Sequence, residues 1–98
     1  MTDFILLMHG DAKRPLGAGQ WSSYLAALNA KGVLRGGSEI GAGVCLRSES
    51  PVPPVTQHIV GYVKIAADDL DHARQLVTGN SVFDAGGTVE IRELLLSD

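Results

Sequence analysis

"HIVGYVKIAADDLDHARQLV", His58 to Val77, changes its periodicity halfway along. Ile59, Gly61, Val63 and Ile65 share one parity; His58, Val60, Tyr62 and Lys64 share the other. Alternation of that kind predicts a strand. From Asp68 onward the spacing becomes helical, with Leu70, Ala73, Leu76 and Val77 forming one apolar stripe. Asp68 or Asp69 can cap this helix, and Gly79-Asn80 can end it. A strand that feeds directly into an amphipathic helix is half of a split βαβ unit. The fold then depends on what flanks it.

Downstream, "SVFDAGG" (residues 81–87) predicts a turn region and "TVEIRELLL" (residues 88–96) a last strand. In that strand Val89 and Ile91 face one way, Glu90 and Arg92 the other. Upstream, "SESPVPPVTQ" (residues 48–57) is a loop, since its prolines cannot donate to a ladder. "VLRGGSEIGAGVCLR" (residues 33–47) predicts a strand broken by glycines and resumed at Val44 to Arg47. The Gly36-Gly37 pair in it suggests a bulge or a close backbone approach.

Further upstream, "QWSSYLAALNAKG" (residues 20–32) predicts a helix with Trp21, Tyr24, Leu25 and Leu28 on its apolar side. Gly32 after Lys31 is a helix stop. "DAKRPLGAG" (residues 11–19) is a loop. "DFILLMHG" (residues 3–10) predicts a first strand with apolar residues on both parities, so both of its faces should be covered.

The order is strand, helix, strand, strand, helix, strand. It predicts an α+β, ferredoxin-like βαββαβ fold, a four-stranded antiparallel sheet with two helices on one face. The other face would carry Val60 and Tyr62, with Ile5 and Leu7, and is too apolar to be left in water. A second copy of the chain is expected to cover it, giving a homodimer of face-to-face sheets with a cavity between them.

Composition narrows the function. The 98 residues are expected to form a single domain, residues 1–98, and their formal charge is −3. Lysines and arginines are scattered, so no nucleic-acid partner is expected. No apolar run approaches the roughly 20 residues that span a bilayer, so no membrane partner is expected either. "MTDFILL" has no basic region and is not expected to be a signal peptide, which leaves a cytoplasmic location as the default. Cys45 stands alone and the three histidines have unrelated spacings, so neither a disulfide framework nor a metal site is expected, and no cofactor.

Candidate site residues gather at strand ends. His9 and Asp11 flank Gly10 where the first strand stops. A carboxylate beside an imidazole orients the ring and stabilises its cation, which suits general acid–base catalysis. The plain alternative is that Gly10-Asp11 turns the chain and His9 is partly exposed. His58 can reach the same open face, because the first and third strands are neighbours in this fold; the plainer alternative is a strand-edge histidine in water. Glu90 and Arg92 share a parity and can line the cavity, Arg92 holding a carboxylate through its planar fork, or they form a solvent-facing pair on an edge strand, the more common outcome. Arg47 and Glu39 flank the glycine-rich strand with the same choice between cavity and solvent. Gly36-Gly37 fits neither phosphate-loop spacing. Trp21 and Tyr24 are expected in the core, His72 at the surface, and Cys45 buried and inert.

Taken together, "FILLMHGDA", "WSSYLAAL", "GVLRGGSEI", "GYVKIAADDLDHARQLV" and "GGTVEIREL" resemble, in order, the YCII-related superfamily and within it the DGPF-type branch. The resemblance implies a ferredoxin-like unit pairing into a dimeric α+β barrel. It also implies a His-Asp pair with a proposed catalytic role, and relatives acting on lactones in aromatic degradation. The Asp-Gly-Pro-Phe motif of the branch is missing; "SESPVPPVTQ" stands in its place, so nothing attributed to that loop carries over. The functional expectation is a dimer cavity performing acid–base chemistry on a small organic acid or lactone with His9 and Asp11, with a small anionic or carboxylate ligand held by His58, Arg47, Glu90 and Arg92. The alternative is a non-catalytic small-molecule-binding, regulatory or interaction module.

Overall fold

The computed structural model describes residues 1–95. Its elements are β1 (Thr2–His9), α1 (Gln20–Ala30), β2 (Leu34–Glu39), β3 (Ile59–Ala67), α2 (Leu70–Gln75), α3 (Ser81–Asp84) and β4 (Val89–Glu93). The strands form one four-stranded sheet in the order β2-β3-β1-β4. Each pairing is antiparallel. The fold is α+β.

Strand parity decides which side of the sheet is the core. Phe4, Leu6 and Met8 of β1 are buried, while Ile5, Leu7 and His9 between them are half-buried. Opposite them on β3, Val63 pairs with Leu6 and Ile65 with Phe4. These residues join Tyr24 and Leu28 of α1, Ala73 of α2, and Leu76, Val77 and Val82 in one apolar cluster. The helices thus cover one face, and the face bearing Ile5, Leu7, Tyr62 and Lys64 is left without them.

α1 ends as its sequence predicts. Lys31 is the last capping residue, and Gly32 takes a positive φ of 72°, which costs glycine little because it has no Cβ. Tyr24 and Leu28 are buried, and Trp21 and Leu25 pack against the cluster from partly buried positions. Burial pushes the Tyr24 phenol up, keeping it protonated. Its hydroxyl donates to the Leu76 carbonyl oxygen at 2.6 Å, tying α1 to the end of α2.

Several expectations are corrected. α2 stops at Gln75. Beyond it the backbone tightens to three-residue spacing, Val77 N–H donating to Arg74 and Thr78 N–H to Gln75, both at 3.2 Å. Leu70, first after the Asp69 cap, is 52% exposed and lies outside the core stripe. "SVFDAGG" is not simply a turn, because Asn80 caps a short helix, accepting from Val82 N–H at 3.0 Å and Phe83 N–H at 3.1 Å. The second strand is not resumed at Val44 to Arg47. Gly41 and Gly43 precede that segment, no described strand pairs with it, and Val44 and Leu46 are 82% and 92% exposed. Cys45, in the same loop, is half-buried rather than buried. In the last strand, Leu96 lies outside the described residues, and β4 ends at Glu93.

Among the described residues no helix is long and apolar enough to cross a membrane.

Candidate functional site

The end of β1 is gripped from both sides. His9 N–H donates to the Thr88 carbonyl at 3.0 Å, and Gly10 N–H donates to the His58 carbonyl at 2.8 Å. The ladder between β1 and β3 shifts register between Met8 and His9. Gly10 allows the close approach: a Cβ there would lie 2.9 Å from a Val60 methyl group. These contacts bring residues 9, 58 and 88, distant in sequence, to one corner of the sheet.

Four of the candidate residues meet at that corner. Glu90 pairs with Leu7 in the β1–β4 ladder, so His9, two residues further along, is its diagonal neighbour on the helix-free face. His9 Nε2 lies 2.9 Å from Glu90 Oε1. Arg92, the next residue of the same parity, donates from Nη1 to Glu90 Oε2 at 3.3 Å. The His58 ring stands edge-on to the His9 ring, with centroids 5.0 Å apart. The His9 side chain retains 20% of its exposure, so the group is partly withdrawn from water without being sealed.

Hydrogen bonding from His9, and then from Arg92, holds the Glu90 carboxyl below the usual carboxylate range. An ionised carboxylate can only accept hydrogen bonds. Neutral His9 therefore carries its proton on Nε2, and Nδ1 bears the free lone pair. That is the arrangement of a general base whose ring is oriented by a carboxylate.

Asp11 is engaged elsewhere. Its Oδ2 accepts from the Thr88 hydroxyl at 2.7 Å and its Oδ1 from the Thr88 N–H at 2.8 Å. The hydroxyl, then the backbone N–H, lower its carboxyl from the ordinary value. His9 contributes to that lowering only as a nearby charge. Side chains two apart point the same way only within a strand, and β1 ends at His9, so Asp11 lies past the turn. Arg47 is also apart from the group's hydrogen bonds: it lies in the exposed 40–58 loop and donates locally to the Pro51 carbonyl at 3.2 Å. Glu39 closes β2 on the other side of the sheet, opposite Gly61. His72 takes a hydrogen bond from Asp68 N–H at 2.9 Å on the helical side.

Glu90 was visible in the sequence only as a candidate ligand-binding group. The pairing of Glu90 with His9 rests on the β1–β4 register, for which a single sequence carries no signal. Among the described residues no group of three or more His, Cys, Asp or Glu side chains could hold a metal ion. No protein-family model matches the chain, and neither a curated protein nor a solved structure matches it.

Proposed function

We propose that this chain is a dimeric acid–base catalyst of the YCII-related type, with His9 as the proton-transferring group and Glu90 as the carboxylate that orients it. The hydrogen bond of 2.9 Å between His9 Nε2 and Glu90 Oε1, on the helix-free face of the sheet, carries the reading. His9 Nδ1 takes a proton from carbon next to the carbonyl of a small organic acid or lactone and returns it to a neighbouring position. Arg92, already turned toward the group, offers positive charge to the carboxylate of such a substrate. Asp11 acts on the site through its charge and through Thr88, and His58 forms the wall beside the ring.

The finer fold assignment belongs to the same proposal. The sheet order β2-β3-β1-β4 is what a split βαβ repeat generates, and it supports a ferredoxin-like unit. The apolar residues Ile5, Leu7, Val60 and Tyr62 on the helix-free face support closure by a second copy into a dimeric α+β barrel. Closure would exclude water from His9 and Glu90, where their interaction gains strength.

Solvent deuterium exchange tests the chemistry without requiring the natural product. A small γ-lactone carboxylic acid in D2O, followed by NMR, is expected to lose its α-proton faster with the protein than with buffer, and His9→Ala should abolish the gain. Exchange equal to buffer, or unchanged in His9→Ala, sinks the catalytic reading. Saturable binding of the acid without exchange would instead favour a binding module.

A further inference from the structure

We propose that the β2 edge of the sheet, beside α1, carries a second ligand site, a cleft for a small organic cation with an apolar body. Its preference is the reverse of the anion preference proposed for the His9 face. The cleft, about 660 Å³, lies between α1 and the β2 edge and also reaches Val60 and Tyr62 of β3. That volume is in the range of small-molecule sites, roughly 300–1,000 Å³.

The space exists because of where glycine falls in the ladder. Gly37 pairs with Val63 and Glu39 with Gly61, and Gly61 in turn pairs with Met8. These positions have the parity of the core face, yet two of them place no side chain there. A Cβ at Gly37 would lie 2.7 Å from the Tyr62 carbonyl oxygen, so only glycine lets β2 pack this closely on β3, and Gly36, Gly37 and Gly61 line the cleft without side chains. Trp21 and Leu25 of α1, with Leu34, form apolar walls. The sequence predicted Trp21 as core; it is only partly buried and borders this opening.

Charge selects the ligand. Glu39 is the single charged residue lining the cleft. Among the described residues it forms no ion pair. A carboxylate at the rim of an apolar, indole-walled space attracts an ammonium group and repels a carboxylate. The face of an indole ring is also the best aromatic partner for a cation. A primary amine on an aromatic or short alkyl body satisfies both groups at once.

Trp21 is the only tryptophan in the chain, so its emission reports on the cleft directly. Phenethylamine and 3-phenylpropionate share an apolar body and carry opposite charges. Titrated into the intact protein, phenethylamine should shift Trp21 emission saturably, with affinity at least about tenfold above that of 3-phenylpropionate. Glu39→Gln, a change at an exposed strand end, should lower amine affinity about three- to fivefold and erase the preference. Equal affinities in the wild type, an amine affinity unmoved by Glu39→Gln, or the lack of any saturable change would each overturn the proposal.

Discussion

His9 and Glu90 stand 81 residues apart in sequence and 2.9 Å apart in space. The relationship follows from one register. Leu7 opposes Glu90, and a side chain on the same face two residues along β1 meets its diagonal partner on β4. Glu90 is then held at both oxygens, by His9 and by Arg92.

The two partners should leave separate marks on the Glu90 titration. Its carboxyl lies below the ordinary 4.5, His9 being the larger cause and Arg92 the smaller. Both His9→Phe and Arg92→Met should raise it, His9→Phe by more. Carbon-13 NMR of the side-chain carboxyl measures this. A larger rise in Arg92→Met would mean that the guanidinium, not the imidazole, holds Glu90. On the proposed chemistry, His9→Ala should also slow lactone-acid exchange by about 10²-fold or more.

Asp11 and Thr88 make a staple across the ends of β1 and β4, and its contribution depends on pH in a fixed sense. The Asp11 pKa is lowered in the folded chain, first by the Thr88 hydroxyl. A lowered carboxyl binds fewer protons folded than unfolded, so its stabilisation is present above the unfolded pKa of about 3.9 and is lost as pH falls through the folded value. Asp11→Asn and Thr88→Val should therefore be less stable than wild type at pH 7, and the gap should close in acid. Urea melts at pH 7 and pH 3 provide the comparison. A gap that widens toward pH 3 would contradict the assigned role.

Leu28 and Leu25 both lie on the predicted apolar side of α1, but the structure separates them. Leu28 is 2% exposed, while Leu25 is partly buried and packs from the edge of the cluster. Leu28→Ala should cost about 2–5 kcal/mol, the range for deleting a fully buried leucine side chain. Leu25→Ala should cost less, because less surface is returned to water. Denaturant midpoints giving the reverse order would place the core on the wrong side of the helix.

How far the sequence foretold this architecture varies with the kind of signal. β3 and α1 were legible because their apolar residues repeat at a definite period, and β1 because Phe4 to Met8 is a continuous apolar run too short for a helix. α3 has four residues, too few to show a period, and its one local signal was the capping residue Asn80. Val44, Cys45 and Leu46 misled in the opposite way: three apolar residues in a row suggest a strand, yet a strand needs a partner, and no described strand pairs with this segment. At the site, His9, His58, Glu90 and Arg92 were recognisable as candidates from strand ends and parity. Which carboxylate serves His9 was not, since nearness in sequence favoured Asp11 while the ladder delivers Glu90.

The helix-free face leads to the last prediction. Ile5, Leu7 and Tyr62 are only half-buried there, and Val60 is 42% exposed. Leu7 lies on the inner strand β1, opposite Tyr62 on one side and Glu90 on the other, so it joins the apolar patch to the candidate site. A stable pairing of two such faces should hide about 800 Å² per chain. On the proposed assembly, light scattering at micromolar concentration should give twice the chain mass, and Leu7→Lys should give the monomer mass with unchanged circular dichroism. The substitution sets a charge on the proposed interface, where Glu90 across the ladder is already engaged by His9 and Arg92 and desolvation of the added ammonium is costly. His9→Ala, by contrast, should remain dimeric, which separates loss of chemistry from loss of assembly. If Leu7→Lys is monomeric, its deuterium exchange should fall with it, because water then has free access to His9 and Glu90. A monomeric wild type would remove the barrel, and with it the water-excluded setting proposed for the imidazole.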